Sequence, residues 1–168
     1  MKGSHRYFLG ILGAVIVAGA ALLFLPATPT SAPQARETGS QTLVAEEPFF
    51  DFGTISMSVG KVAHTFVIKN TSATKVVIDK IYTSCMCTTA KLTTQAGSAG
   101  PFGMPGHEAT SRIAQRIAPD EEAQIDILFD PAAHGPEGMG RVRRIVYLET
   151  GGGPDLALEL IFEATVIP

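Results

Sequence analysis

The chain has 168 residues, 45% of them hydrophobic, with two cysteines, no tryptophan and a formal net charge of −3. Of its 13 Lys+Arg, Lys2 and Arg6 precede a long apolar run, leaving 11 against 16 Asp+Glu in the remainder. That mildly acidic balance, with no Lys/Arg run and no phosphate-cradling Walker loop, excludes a basic nucleic-acid surface.

Residues 1–7 form a short basic stub, with Lys2, His5 and Arg6 ahead of an uncharged stretch over residues 8–25, "FLGILGAVIVAGAALLFL". Eighteen such residues rise about 27 Å as a helix, close to the thickness of a bilayer's hydrocarbon core. A cleavable signal peptide has a shorter apolar core, about 7–15 residues. The run therefore reads as an uncleaved signal anchor, a single membrane pass. Small residues near Ala32 and Ala35 leave a cleaved signal as the alternative. The preceding basic residues keep the N-terminus cytoplasmic and place the rest outside. No cysteine lies near the end of the span to carry a lipid. Residues 26–42 are rich in Pro, Ser, Thr and Ala and read as a disordered linker.

From residue 43 the pattern is one of strands. "FFDFGTI" (Phe49–Ile55) is aromatic and β-branched, bounded by glycine-containing turns. In "KVAHTFVIKN", Val62, His64, Phe66 and Ile68 share one face. "TKVVIDKIYTSCMCTTAKL" is a long β-favouring stretch. In "AQIDILFD", Ile125, Ile127 and Phe129 alternate with Gln124, Asp126 and Asp130. "RVRRIVYLET" and "LALELIFEATVI" follow, the second placing Leu156, Leu158, Leu160, Phe162, Ala164 and Val166 on one face. Period-2 patterning, with turn residues between, predicts an all-β antiparallel sandwich over residues 43–168. Residues 93–116, "TTQAGSAGPFGMPGHEATSRIAQR", break the pattern and read as an inserted Gly/Pro-rich loop. A connection of that length without structure is uncommon inside a compact domain and tends to be functional or disordered.

Several stretches resemble a bacterial family of envelope domains known as domain of unknown function 1573. They are "FDFGTI" (Phe50–Ile55), "HTFVIKNTS" (His64–Ser72), "TSCMCT" (Thr83–Thr88) and "IAPDEEAQIDILFDPA" (Ile117–Ala132). The family pattern at the cysteines is Cys-Gly-Cys-Thr, and Met86 stands here in the glycine position. The resemblance implies an immunoglobulin-like sandwich related to the major-sperm-protein and cilia-associated adhesion modules. It also implies a domain of the bacterial envelope that is secreted, lipid-anchored or membrane-anchored. It supplies no activity.

Both cysteines lie in "TSCMCT". If the segment is an extended strand, Cys85 and Cys87 share a face with Cα atoms about 6.5–7 Å apart. A disulfide prefers about 4.4–6.8 Å, so bridging requires a kink. Closing so short a loop removes little chain entropy, so a stabilising staple is excluded. Three readings stay open: two packed thiols, a soft-metal site, and a redox-active or partner-linking pair. Thiolate and thioether select Cu(I), and imidazole suits copper as well. Met104 and His107 in the inserted loop, and His134 in "DPAAHGPEGMGR", join Cys85 and Cys87 as candidate metal ligands, with copper(I) the candidate cofactor. Met139 lies in the same later turn, and Met86, between the thiols, points the other way by alternation.

No Cys-His-third-group arrangement or dinucleotide loop appears, and a binding or assembly module, not an enzyme, is expected. Exposed sandwich edges offer a strand or loops to an envelope protein partner. Arg141, Arg143 and Arg144 read as a solvated strand face, with Arg144 opposite the other two.

Overall fold

A computed structural model of the chain describes residues 42–107, 113–151 and 158–168. The basic stub, the apolar span and the linker up to residue 41 lie outside the described residues. Among the described residues no helix is long and apolar enough to cross a membrane.

Among the described residues, ten strands form two five-stranded sheets. They are β1 (Leu43–Ala45), β2 (Phe49–Ser56), β3 (Val62–Asn70), β4 (Val76–Thr83), β5 (Thr88–Thr94), β6 (Gly97–Phe102), β7 (Gln115–Ile117), β8 (Glu122–Phe129), β9 (Gly140–Thr150) and β10 (Leu158–Ile167). One sheet has the order β1-β3-β8-β5-β6 and the other β2-β10-β9-β4-β7. Every recorded pairing is antiparallel except β2 with β10, which is parallel, Phe49 lying opposite Ile161.

The alternation predicted from sequence is the alternation of burial. Phe66 and Ile68 of β3, Ile125, Ile127 and Phe129 of β8, and Leu160, Phe162, Ala164 and Val166 of β10 are buried. Their registry, Phe66 opposite Ile125 and His64 opposite Ile127, keeps each apolar set on the inner face. A slip of one residue would turn all of them to solvent. Phe129 and Phe162 face each other across the core with ring centroids 5.2 Å apart, and Phe52 meets Phe162 edge-on at 5.5 Å. His64 belongs to this aromatic layer, stacked on Phe50 at 3.7 Å and edge-on to Phe66 at 4.6 Å. Burial lowers its pKa, with the nearby Glu47 opposing the shift.

Asn70 ends β3 with no exposed surface. Its Nδ2 donates to the carbonyls of Thr74 (2.9 Å), Ile117 (3.1 Å) and Ala118 (3.0 Å), while Oδ1 accepts from Ser72 N–H at 3.0 Å. The "NTS" tripeptide is thus a turn whose asparagine is enclosed by the protein.

Two expectations change. The segment 93–116 is not a structureless insertion: residues 97–102 form β6, paired with β5, and residues 115–117 form β7, paired with β4. Both are edge strands, where Gly and Pro are tolerated because one row of backbone groups needs no partner. Residues 108–112 lie outside the described residues. The long β-favouring stretch around the cysteines is likewise two strands in different sheets, β4 and β5, joined by residues 84–87. That connection arches from one sheet to the other at one end of the sandwich.

Candidate functional site

The cysteines sit on this arch, not on a strand face. Thr88 N–H donates to the Cys85 carbonyl at 3.2 Å, closing a turn over Cys85–Thr88. The buried Thr83 hydroxyl lies 2.9 Å from the Cys85 carbonyl and 3.1 Å from that of Thr88, holding the turn from beneath. Ser84 ties the arch to β9: its N–H donates to the Ile145 carbonyl and its Oγ accepts from Ile145 N–H, both at 2.9 Å. The Cys87 carbonyl accepts from Asp130 N–H at 2.8 Å, fixing the arch to the end of β8. Four hydrogen-bonded anchors thus replace the extended geometry, and the local kink that a strand lacks is present. Cys87 is buried and Cys85 half-buried, while Met86 between them is 51% exposed.

The Sγ atoms of Cys85 and Cys87 are 2.6 Å apart, both as free thiols. His134 reaches Cys85 Sγ through Nε2 at 3.1 Å. The chain after β8 places it there through a compact turn. Asp130 Oδ1 accepts from Ala132 N–H, and its carbonyl accepts from Ala133 N–H. Gly135, with φ of 57°, then reverses the chain into a short 3-10 turn over Gly135–Gly138. A Cβ at Gly138 would approach the Cβ of His134 to 3.0 Å, so glycine there leaves the imidazole its place. Cys85, Cys87 and His134 offer three ligand atoms within 4.8 Å of one another, close enough to hold a metal ion.

The fourth member is Arg144 of β9, whose Nε donates to Cys87 Sγ at 3.2 Å and whose Nη1 donates to the Arg143 carbonyl at 2.9 Å. Val142, Val146 and Leu148 are buried on the same alternate positions of β9, so Arg144 belongs to the inward-facing set. Arg141 and Arg143 face the other way, toward Glu163. The expected opposition of Arg144 to its neighbours holds, but it is half-buried beside the thiols and not part of a solvated face. Sequence reading missed its role, although a charge at an apolar-register position of a strand was the available signal.

The two thiols are electrostatically unequal. Burial pushes Cys85 up, but hydrogen bonds from the Cys87 thiol and backbone N–H, from His134, and the Arg144 charge outweigh it and bring the thiol down to about 7. Burial, together with its thiol hydrogen bond to Cys85, pushes Cys87 up, with Arg144 and Thr88 opposing. The negative charge of a singly ionised pair therefore resides on Cys85, the more accessible sulfur.

The remaining predicted ligands are placed differently. His107 is exposed in a turn closed by its own N–H to the Met104 carbonyl at 3.2 Å, and it is outside the group of three. Met104 is half-buried next to Gly103, whose carbonyl accepts from Thr83 N–H at 3.1 Å, so its backbone runs beside the end of β4.

Residues 43–103, which include β1 to β6 and the whole cysteine arch, match the family model described as "Protein of unknown function (DUF1573)". The match covers 61 of the 168 residues. No curated protein sequence matches the chain. A crystal structure of a protein of unknown function from Porphyromonas gingivalis W83 superposes with a TM-score of 0.52 at 14% identity, covering 74% of this chain and 46% of that one. The secreted serine protease VesC from Vibrio cholerae gives 0.48 at 8% identity, over 76% of this chain and 23% of that one. The seventh PapD-like domain of human CEP192 gives 0.44 at 14% identity, over 85% and 96%. The chain spans less than half the length of the first two. At 14% identity the likeness to the Porphyromonas gingivalis protein is one of fold, and it assigns this chain no activity.

Proposed function

We propose that this chain is a membrane-anchored, extracytoplasmic, non-catalytic binding module that holds a soft metal ion, copper(I), through Cys85, Cys87 and His134. The observation that carries the reading is the convergence of two thiols and one imidazole nitrogen, all within 4.8 Å, at one end of the sandwich. Two sulfurs and one nitrogen form a donor set that suits Cu(I). Cys85, Cys87 and His134 would hold the ion, the two sulfurs supplying the soft donors and the imidazole the third. The apolar run at residues 8–25 and the basic residues before it support the membrane location. The family resemblance supports an immunoglobulin-like module in a bacterial cell membrane. The edge strands β1, β2, β6 and β7 are the surfaces on which a protein partner would dock.

The test is a Cu(I) titration of the full-length chain, reduced and held in detergent, against a competing chelator. The parent is expected to take up one Cu(I), Cys85→Ser/Cys87→Ser to lose it, and His134→Ala to bind at least tenfold more weakly. A double serine variant that binds as tightly as the parent overturns the reading.

One observation favours a second reading, thiol–disulfide exchange. The two sulfurs are in direct contact, and the accessible one is the more acidic. In that reaction the Cys85 thiolate attacks a partner's disulfide and expels one partner thiolate. Cys87 then displaces the second, so the partner is reduced by two electrons and the pair is oxidised to a disulfide. Loss of both free thiols on mixing with a small disulfide, with release of two equivalents of the small thiol, is its signature.

A further inference from the structure

We infer that Arg144 makes this site selective for a monovalent ion over a divalent one. The inference rests on the soft-metal reading and concerns the charge of what enters, which the donor atoms alone leave undetermined.

Two thiolates carry −2, and the Arg144 guanidinium, 3.2 Å from Cys87 Sγ, carries +1. A monovalent ion bound between the sulfurs brings the cluster to zero, whereas a divalent ion leaves it at +1. The location makes that difference matter. Cys85 is half-buried and His134 exposed, but on the Cys87 side, where 3% of that residue's surface is exposed, Arg144 extends from the inner face of β9 between the buried Val142 and Val146. Excess charge in such surroundings costs far more than it would in water.

No carboxylate among the described residues is within ligand reach of this cluster: the group of closely spaced His, Cys, Asp and Glu donors here is Cys85, Cys87 and His134 alone. The guanidinium is also fixed in place, since Nη1 donates to the Arg143 carbonyl while Nε faces the sulfur. An arginine at this inward position thus acts as a built-in charge that repels a divalent ion twice as strongly as a monovalent one.

Removing that charge is expected to change the ratio of affinities more than either affinity alone. Without Arg144 the thiols hold their protons more tightly, which weakens every metal alike. Both classes of ion displace the same protons, so this effect cancels in the ratio. What remains is the lost repulsion, doubled for the divalent ion.

The experiment measures Cu(I), Zn(II) and Cd(II) affinities of the full-length reduced chain and of Arg144→Gln, Arg144→Met and Arg144→Lys, each at one pH and salt concentration. Thermal unfolding verifies that each variant folds, and the methionine variant preserves the packing of the stem should glutamine disrupt it. In the two neutral variants the Zn(II)/Cu(I) and Cd(II)/Cu(I) affinity ratios are expected to rise at least about tenfold. The lysine variant should stay within about threefold of the parent. Cu(I) binding by the parent with ratios unchanged in both neutral variants overturns the role of Arg144 and leaves the metal site standing. Failure of the parent to bind Cu(I) overturns the site, and the inference with it.

Discussion

Replacing Thr83 with valine removes one hydroxyl and almost no volume, from a side chain with 1% of its surface exposed. That hydroxyl lies within 3.1 Å of both carbonyls it supports, those of Cys85 and Thr88. A methyl in its place leaves those oxygens short of a partner in a dry location, a loss of about 1–2 kcal/mol. Unfolding entropy of about 2.1 cal/mol/K per residue, over about 126 residues, amounts to about 0.26 kcal/mol/K. The expected drop in Tm is thus about 4–8 °C. The same contact fixes the Cys85–Thr88 turn, so the apparent Cu(I) affinity should fall about three- to tenfold as the two sulfurs lose their shared orientation. Differential scanning calorimetry and chelator competition read the two effects, with Thr83→Ser as the control that keeps the hydroxyl. A valine variant that unfolds at the parent's temperature and binds Cu(I) as the parent does would refute the idea that this hydroxyl holds the arch.

Other outcomes are expected on the same grounds. Alkylation of the reduced, metal-free chain by iodoacetamide should label Cys85 ahead of Cys87, with a rate that rises through about pH 7, because the lowered thiol pKa leaves the thiolate dominant above that value. Asn70→Ala should cost about 2–4 kcal/mol in urea unfolding, since three carbonyls lose their donor inside the fold. Burial lowers the His64 pKa, so the unfolded chain binds that proton more readily. Stability contributed by His64 is therefore complete above about pH 6.5 and lost as pH falls below it. His64→Gln should flatten the urea midpoint between pH 7 and pH 5, and a parent midpoint that does not fall over this range would contradict the burial argument.

The sandwich was legible because most of its strands bury only one face. Ile125, Ile127 and Phe129, or Leu158 through Val166, can satisfy their alternation in no other way. The arch was not legible, because "TSCMCTT" contains neither Gly, Pro nor Asn to mark a turn and its residues favour strands. Its bend is imposed by distant partners, Ile145 and Asp130, together with the hydroxyl of Thr83. β6 was missed for the opposite reason: Gly97, Gly100 and Pro101 signal a loop, yet an edge strand accommodates them. Of the candidate ligands, Cys85, Cys87 and His134 converge, since the arch and the end of β8 are joined by one backbone hydrogen bond. His107 belongs to a separate turn, and only three-dimensional proximity distinguishes the two histidines. Arg144 was visible as a charge in the Val142–Val146 register, but its partner lies 57 residues away in sequence.

The parallel pairing of β2 with β10 has a consequence for how the molecule is made. β10 separates β2 from β9, so the edge formed by one of the earliest strands can join its sheet only through one of the last. A nascent chain that has reached Thr150 carries Phe50, Phe52 and His64 with no Phe162 to close over them, and β9 with one side open. Closure awaits contacts between strands more than a hundred residues apart, which slows folding and leaves β9 exposed as a template for the wrong strand until β10 pairs with it.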